Sequence, residues 1–501
     1  MQTFDLLVIG GGINGAGIAR DAAGRGLSVL LVEKDDLGAA TSSASSKLIH
    51  GGLRYLEQYE FRLVAEALAE REVLLATAGH LVWPARFVMP HVPSLRPRWM
   101  IRVGLFLYDH LARRTRLGGS RAVRLDAPPF DSGLKGDLKH GFAYSDCRVD
   151  DARLVIANAI AARQLGAELR TRCVCIAAKR ADGMWRVRLG SAQGELQVDA
   201  RAIVNAAGPW AKRVLNETLG QPSHDNVRLV KGSHIILPRL YEGDHAFILQ
   251  NDDRRVVFMI PYQERYTLVG TTDIALPDSV ASAEPPQASE AEVDYLCRAA
   301  GRYLARAPTP DQVLWRYAGV RPLYDDGSND PSAVTRDYTL RVDDDAGEAP
   351  VLSVYGGKIT TFRRLAEQAL ERLAPYFPRM KAGWTASTPL PGSEFGGRSR
   401  EQFRSVLAAR YAWLPPPVLH ALFRRHGALL PRVLGEASAT EHLGEQFADG
   451  LTERELAYFV ECEWARSVDD VLWRRTKAGL RLDTAARERV AACIARYAAA
   501  P

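Results

Sequence analysis

Three glycines and the residues that follow them set out the first chemistry this chain can do. Gly10, Gly12 and Gly15 stand in the run Ile9-Gly10-Gly11-Gly12-Ile13-Asn14-Gly15 at G-x-G-x-x-G spacing. That spacing permits a sharp turn, brings backbone N–H groups up to a pyrophosphate, and lets a helix pack closely on a sheet. Glu33 lies far enough downstream for its carboxylate to accept hydrogen bonds from a ribose diol. A nicotinamide-binding domain would normally enter another strand and helix soon after such an acid. Here the chain instead runs through Asp36-Leu37-Gly38-Ala39-Ala40-Thr41-Ser42-Ser43-Ala44-Ser45-Ser46-Lys47, small residues and hydroxyls that can bond phosphate and ring oxygens along an extended cofactor. The pattern favours FAD over NAD.

Further along, Gly51 and Gly52 would let the backbone pass close under a flat ring, placing His50, Arg54 and Tyr55 near its reactive face. The run Asn205-Ala206-Ala207-Gly208-Pro209-Trp210 ends an apolar segment in small residues and offers a second close approach. Near position 356, Gly356-Gly357-Lys358-Ile359-Thr360-Thr361 reads as a strand end followed by a helix start. The free N–H groups and positive dipole end of that helix can face the electron-rich edge of a reduced flavin. Taken singly, these residues have plainer readings: a lone histidine is more often structural and a lone arginine a surface charge. Their neighbours give them weight.

The elements that must position these groups follow from periodicity. Phe4 to Ile9 and Ser28 to Glu33 read as parallel strands joined by a small-residue helix from Gly15 to Gly26. A charged helix is expected over 61–78, and prolines break the region 84–100. Six arginines between Arg96 and Arg116 surround the apolar, aromatic stretch Trp99 to Tyr108. That stretch can lie on an anionic membrane surface, or it can bury its apolar face in the fold. Asp150 or Asp151 can cap a helix through Leu165, and strands are expected at 168–178, 184–189 and 195–204. Short strands over 227–230, 234–237, 246–249, 255–260 and 266–270 suggest a mixed or antiparallel sheet on the substrate side. Lys231-Gly232-Ser233-His234 and Gly270-Thr271-Thr272-Asp273 are expected there as polar turns. A loop over 275–286 and a helix over 289–306 complete it. From about Ser387 onward the chain reads as helices, clearest at 451–466 and 469–479, with Thr452 and Ser467 as caps.

Composition limits the alternatives. The chain has 501 residues, 47% hydrophobic and 25% charged, which allows two or three domains and excludes disorder. A net charge of +6 is too mild to imply nucleic acid but suits an anionic substrate or lipid headgroups. The cysteines, at 147, 173, 175, 297, 462 and 493, lack metal or redox spacing, so reduced thiols and no metal site are expected. No run approaches the length of a membrane span, and Asp5 interrupts any export signal, so membrane contact is expected to be peripheral.

Two long segments carry a family resemblance. Ala40 to Glu57 and Gly356 to Glu367 resemble the two signatures of the FAD-dependent glycerol-3-phosphate dehydrogenases, in the expected order. The likeness continues through Lys231-Gly232-Ser233-His234 and Gly319-Val320-Arg321-Pro322 to Asp470-Val471-Leu472-Trp473-Arg474-Arg475-Thr476-Lys477, and is strongest to the bacterial aerobic, quinone-linked enzymes. Phe362 and Ile359 depart conservatively from the common Tyr and Leu.

The resemblance implies an α/β fold: an FAD-binding Rossmann-like domain of the glutathione-reductase/D-amino-acid-oxidase type, a mixed or antiparallel β-sheet substrate cap, and a C-terminal helical domain. The expected divisions are 1–75, 145–215 and 335–385 for FAD, 76–144 and 216–334 for the cap, and 387–501 for the helical domain. Implied cofactor contacts are Gly10, Gly12, Ile13, Asn14 and Gly15; Glu33; Thr41, Ser42, Ser45 and Lys47; His50, Gly52 and Leu53; Ala207, Gly208 and Trp210; and Gly357, Lys358, Ile359 and Thr360.

The implied reaction is oxidation of sn-glycerol 3-phosphate to dihydroxyacetone phosphate. Electrons would pass to ubiquinone at the inner face of the cytoplasmic membrane, from a cytoplasmic, peripherally bound homodimer. A phosphate dianion needs several cations, and Arg54, Arg321, Arg336 and Lys358 are the candidates, with Tyr55 and Thr272 as hydroxyl partners. His50 and His234 are candidate bases for the substrate hydroxyl, with His50 preferred; Arg321 or Lys358 would polarise the developing alkoxide. An oxygen-using glycerol-3-phosphate oxidase, an amine oxidase of the same fold and a non-catalytic flavin protein are the alternatives.

Overall fold

Two apolar runs become neighbouring parallel strands, Gln2–Ile9 and Val29–Glu33, because the helix between them, Ile13–Gly24, has an apolar side to bury on their face. Ile13, Ala16, Ile18, Ala19 and Ala22 go inward, and small residues let neighbouring helices come close. A side chain on Gly17 would come 2.8 Å from the Phe362 ring of the helix Phe362–Leu373. The computed structural model describes every residue except 1, 223–226, 254, 278–285, 325–336, 345–346, 449, 500 and 501.

The first sheet runs in the order Thr339–Asp343, Val351–Tyr355, Gly194–Asn205, Gln2–Ile9, Val29–Glu33, Glu168–Thr171. All neighbours are parallel except the edge strand Thr339–Asp343. A hairpin, Val174–Ala181 and Met184–Ser191, extends Gly194–Asn205 on one side. The expected strand over 168–178 is thus two strands, interrupted where Arg172 turns with φ 53°. Helices Ile13–Gly24, Asp151–Gln164 and Phe362–Leu373 share one apolar core against the sheet.

The second sheet orders Ile274–Leu276, Val227–Pro238, Tyr266–Gly270, Val256–Tyr262, Ala246–Gln250, Val82–Pro90, His140–Val149 and Leu48–Ile49. Trp315–Tyr324 pairs with Val227–Pro238, and Arg121–Arg124 with His140–Val149. The sheet is mixed, since Ala246–Gln250 runs parallel to Val82–Pro90. It takes in Leu48–Ile49 and continues to Val149, across the expected division at 144.

Two expectations need correction here. The proline-broken region begins with a strand: Val82–Pro90 pairs along its length with His140–Val149, Pro84 opposite Cys147 and Pro90 opposite Gly141, and with Ala246–Gln250 only at Phe87 and Val88, so neither proline lies in that second ladder. Lys231 to His234 is no turn but the middle of the strand Val227–Pro238, with Gly232 opposite Gly319.

The stretch Trp99 to Tyr108 lies within one helix, Arg98–His110, and it buries only part of its apolar surface in the fold. Ile101, Leu105 and Tyr108 are buried, while Trp99, Met100, Val103, Phe106 and Leu107 remain exposed. Trp99 is 67% and Phe106 60% accessible, and Tyr59 is 80% accessible on the loop that follows Leu53–Gln58, a turn packed against this helix. Among the described residues no helix is long and apolar enough to cross a membrane. Beyond residue 399 the helices Arg400–Arg410, Pro416–His426, Glu453–Cys462 and Thr484–Ala498 pack around a core of their own. Asp469 to Gly479, expected as one helix, is a wide turn over Asp470–Arg475 followed by a tight one over Ala478–Leu480.

Candidate active site

A cavity of about 1390 Å³ runs from the end of strand Gln2–Ile9, between the two sheets, to the inner face of the second. At its dinucleotide end the glycines act as spacing required. Gly10 adopts φ +111°, and a Cβ there would lie 2.5 Å from the Ala206 carbonyl oxygen. A Cβ on Gly15 would lie 1.9 Å from the Gly10 carbonyl oxygen, so Gly15 packs under the turn and does not line the cavity. Helix Ile13–Gly24 starts at Gly12 with no side-chain cap of its own; Ile13 N–H donates to Ser42 Oγ at 2.9 Å. The Glu33 carboxylate accepts Gly11 N–H at 2.6 Å and Asp35 N–H at 2.8 Å. Burial raises its pKa, and those two backbone donors oppose the rise.

The second glycine turn meets the first. Asn14 Nδ2 donates to the Gly356 carbonyl at 3.2 Å, and a Cβ on Gly357, at φ +96°, would come 2.6 Å from that nitrogen. Asn14 Oδ1 is buried and has no partner among the described residues, an acceptor turned toward a donor that the protein does not supply. Helix Phe362–Leu373 starts at Thr361 without a side-chain cap. A helix start held only by Ser42, a second start with no side-chain cap, an orphaned acceptor and a glycine-lined floor suit a dinucleotide with a flat redox ring. Thr41, Ser42, Ser45, Ala207, Gly208, Trp210, Ile13, Leu53, Ile359 and Thr360 all line the same cavity.

Three cations, Arg54, Arg321 and Lys358, line the same cavity. Arg321 Nη1 donates to Asp273 at 3.1 Å and Nη2 to Thr271 Oγ1 at 3.2 Å. A side chain on Gly232 would meet Arg321 Nη2 at 2.4 Å, which is why glycine stands at that point of the strand. Lys358 Nζ sits 4.0 Å from the Tyr55 ring centroid. Arg54 lines the cavity and has no ion-pair or hydrogen-bond partner among the described residues.

His50 and His234 also face this space. The His50 ring meets Phe258 edge-on at 6.1 Å and makes no side-chain hydrogen bond among the described residues; the backbone N–H of His50 donates to Thr360 Oγ1 at 3.2 Å. Burial lowers the His50 pKa, nearby Lys358 and Arg71 lower it further, and Asp146 opposes them. His234 is more constrained: its ring stacks on Tyr317 at 4.9 Å and Nε2 lies 2.9 Å from Ser46 Oγ. Burial, then Arg321 and Lys47, push its pKa well below the usual range.

Not every expected residue arrives in its expected role. Lys47 turns away from the cavity and pairs with buried Asp151 at 2.8 Å, because loop closure brings it over the start of helix Asp151–Gln164. Thr272 lines the cavity, yet its hydroxyl donates to Glu292 at 2.8 Å and accepts Ser233 N–H at 2.9 Å, leaving little for a substrate. Arg336 lies outside the described residues. Three groups escaped the sequence reading. Glu292, at the start of helix Glu290–Gly301, also accepts Ser233 Oγ and Lys231 and so fixes the strand beneath Arg321. Tyr108 accepts Gly51 N–H at 2.7 Å and donates to Asp146 at 2.6 Å, with Arg71 on the far carboxylate oxygen at 2.5 Å. Arg474, from the C-terminal helices, lines the cavity. Only the Ser289–Glu292 capping pattern was readable in sequence; the other two partners are joined by topology.

Comparison with known proteins agrees with this geometry. The family model described as FAD dependent oxidoreductase matches residues 5–341, and that of the C-terminal domain of alpha-glycerophosphate oxidase matches 384–500. The chain is similar to a glycerol-3-phosphate dehydrogenase of Pseudomonas aeruginosa, 52% identical over 98% of this chain and 94% of that one. It is 50% identical to a D-erythritol 1-phosphate dehydrogenase of Brucella abortus, over 97% and 96% of the two chains. The solved glycerol-3-phosphate dehydrogenase from Bacillus halodurans, complexed with FAD, superimposes with a TM-score of 0.75 at 26% identity, covering 99% of this chain and 90% of that one.

Proposed function

The chain belongs to the FAD-dependent glycerol-3-phosphate dehydrogenase family, and from that premise we propose that it oxidises sn-glycerol 3-phosphate at C2 to dihydroxyacetone phosphate. The observation that carries this reading is that three cations, Arg54, Arg321 and Lys358, line one dinucleotide cavity. One carboxylate would not call for so many cations, whereas a phosphate dianion does.

Bound FAD supplies the hydride acceptor. Arg54 and Arg321 hold the phosphate, and Asp273 and Thr271 fix the guanidinium plane of Arg321 for bidentate contact. Lys358 stabilises the oxygen on C2 as its proton leaves. His50, neutral at physiological pH because burial and Lys358 lower its pKa, accepts that proton. His234, held by Ser46 and Tyr317, keeps the wall of the site in register. Arg336 remains a proposed phosphate contact from the family motif alone.

The electrons pass to ubiquinone. The helix Arg98–His110, whose outer residues are apolar and exposed like Tyr59 and Phe61, follows closely on Arg96, which lines the cavity with Leu53, Arg54 and Glu57. Arg98 and Arg102 flank those outer residues, a combination suited to the surface of an anionic bilayer. We place the protein as a cytoplasmic homodimer bound peripherally at the inner membrane face. The domain divisions expected from sequence stand as part of this proposal, with Leu48–Ile49 and the end of His140–Val149 moved to the cap.

A longer polyol phosphate is the second reading, favoured by the identity to the D-erythritol 1-phosphate enzyme and by the extension of the cavity past Phe258 to Gln250 and Arg255. Anaerobic stopped-flow mixing decides. Glycerol 3-phosphate should bleach the flavin fast, with slow reoxidation in air and quick reoxidation by a soluble quinone. Faster bleaching by erythritol 1-phosphate would transfer the assignment to the longer substrate, and no bleaching by either would end the proposal.

A further inference from the structure

The loop from Asp36 to Lys47 forms one wall of the cofactor cavity, yet little of its own sequence favours one conformation. It is made of small residues and hydroxyls with no regular element beyond the short turn Thr41–Ser43. What holds it comes from outside. At its start, Asp36 is almost fully buried and takes two guanidinium groups: Oδ2 accepts from Arg474 Nε at 2.5 Å and from Arg475 Nη1, and Oδ1 accepts from Arg475 Nη2 at 2.9 Å. Arg475 is itself fully buried and also donates to the Glu463 carbonyl. Arg474 is fixed from behind by Asp470 at 2.5 Å.

At the other end Lys47 pairs with Asp151 at 2.8 Å and donates to the Ser43 carbonyl at 2.9 Å, while Ser45 Oγ donates to the same Asp151 at 2.8 Å. The neighbouring Asp150 takes Lys477 Nζ at 3.3 Å. Both ends of the loop therefore lead, directly or through the Asp150-Asp151 pair, to residues 474–477 of the C-terminal helices. The loop is tied elsewhere as well: within the cofactor half by Gly38 N–H to the Gly11 carbonyl, by Ile13 N–H to Ser42 Oγ and by the Asp151 contacts themselves, and to the second sheet by Thr41 Oγ1 to the Val320 carbonyl, by Ser46 Oγ with His234 Nε2 and by Tyr317 to the Ser45 carbonyl.

We propose that Arg474, Arg475 and Lys477 are positioning residues for FAD: the C-terminal region clasps both ends of the loop 36–47 and so sets how tightly the dinucleotide is retained. The proposal rests on the FAD reading of the cavity. A carboxylate as buried as Asp36 needs its cations, so removing them lets that end of the loop seek water and opens the wall.

The test measures FAD dissociation from full-length holoenzyme by the rise of free-flavin fluorescence on dilution, beside the thermal midpoint of each variant. Arg474→Gln and Lys477→Met should each raise the dissociation constant at least tenfold. The paired change Asp36→Asn with Arg475→Gln, which removes both charges and leaves neither alone, should do the same. Glu455→Gln breaks a comparably buried pair with Arg425, at 2.6 Å, away from the loop. It should lower the thermal midpoint and keep FAD affinity within twofold. If Lys477→Met or the paired variant fails to fold, Arg474→Gln, at a partly accessible position, decides alone. Unchanged affinity in the clasp variants, or equal loss in Glu455→Gln, overturns the proposal. A wild-type protein that takes up no FAD would count against the cofactor instead.

Discussion

Arg321 is the residue whose surroundings argue most directly for its task. Asp273 and Thr271 orient it, and Gly232 leaves it room, so its loss removes a charge-assisted contact without collapsing a core. Such a contact contributes about 1.5–3 kcal/mol. Arg321→Ala should therefore raise KM for glycerol 3-phosphate roughly ten- to hundredfold while flavin content stays normal. An unchanged KM would remove it from the phosphate site. His50 gives a prediction with a sign. Its pKa is lowered by burial first and by Lys358 and Arg71 next, so the acid limb of kcat should fall below the ordinary histidine value of 6.5. In Lys358→Met one depressing charge is gone, the pKa rises, and the limb should move to higher pH as kcat drops. A limb that stays in place would show that another group accepts the proton.

The helix Arg98–His110 makes its case as an element. Its inner residues, Ile101, Leu105 and Tyr108, are fixed in a core, so replacing outer ones should spare the fold. Trp99→Glu with Phe106→Glu should release the protein from anionic vesicles in a flotation assay and leave turnover with a soluble quinone near wild type; retained binding would move the membrane contact elsewhere. Elements of this kind were legible in sequence when their own periodicity decided them. Helix Asp151–Gln164 with its Asp150 cap and helix Glu453–Cys462 with Thr452 were readable for that reason. Val82–Pro90 and the continuous strand Val227–Pro238 were not, because partners distant in the chain decide whether a proline or a glycine interrupts a ladder.

For the molecule as a whole, ligand binding and stability are coupled. A dinucleotide that ties residues 10–15, 36–46 and 356–360 together stabilises only the native state, by about 4 kcal/mol at a thousandfold excess over Kd. Adding FAD to stripped protein should raise the thermal midpoint in a concentration-dependent way, and a midpoint indifferent to FAD would contradict the cavity assignment. Which residues of the site sequence could reveal follows the same physics of distance. The glycine turns announce themselves through local spacing, whereas the pairing of Lys47 with Asp151, the occupation of Thr272 by Glu292 and the presence of Arg474 in the wall depend on tertiary closure.

The hydrogen bond from Asn14 to Gly356 spans 342 positions of chain. A ribosome adding roughly 5–20 residues each second would need about 20–70 s to pass from one partner to the other. Through that interval the nascent chain holds half a nucleotide site, so translation must run past two-thirds of the chain before vitamin-derived prosthetic group and polypeptide can join.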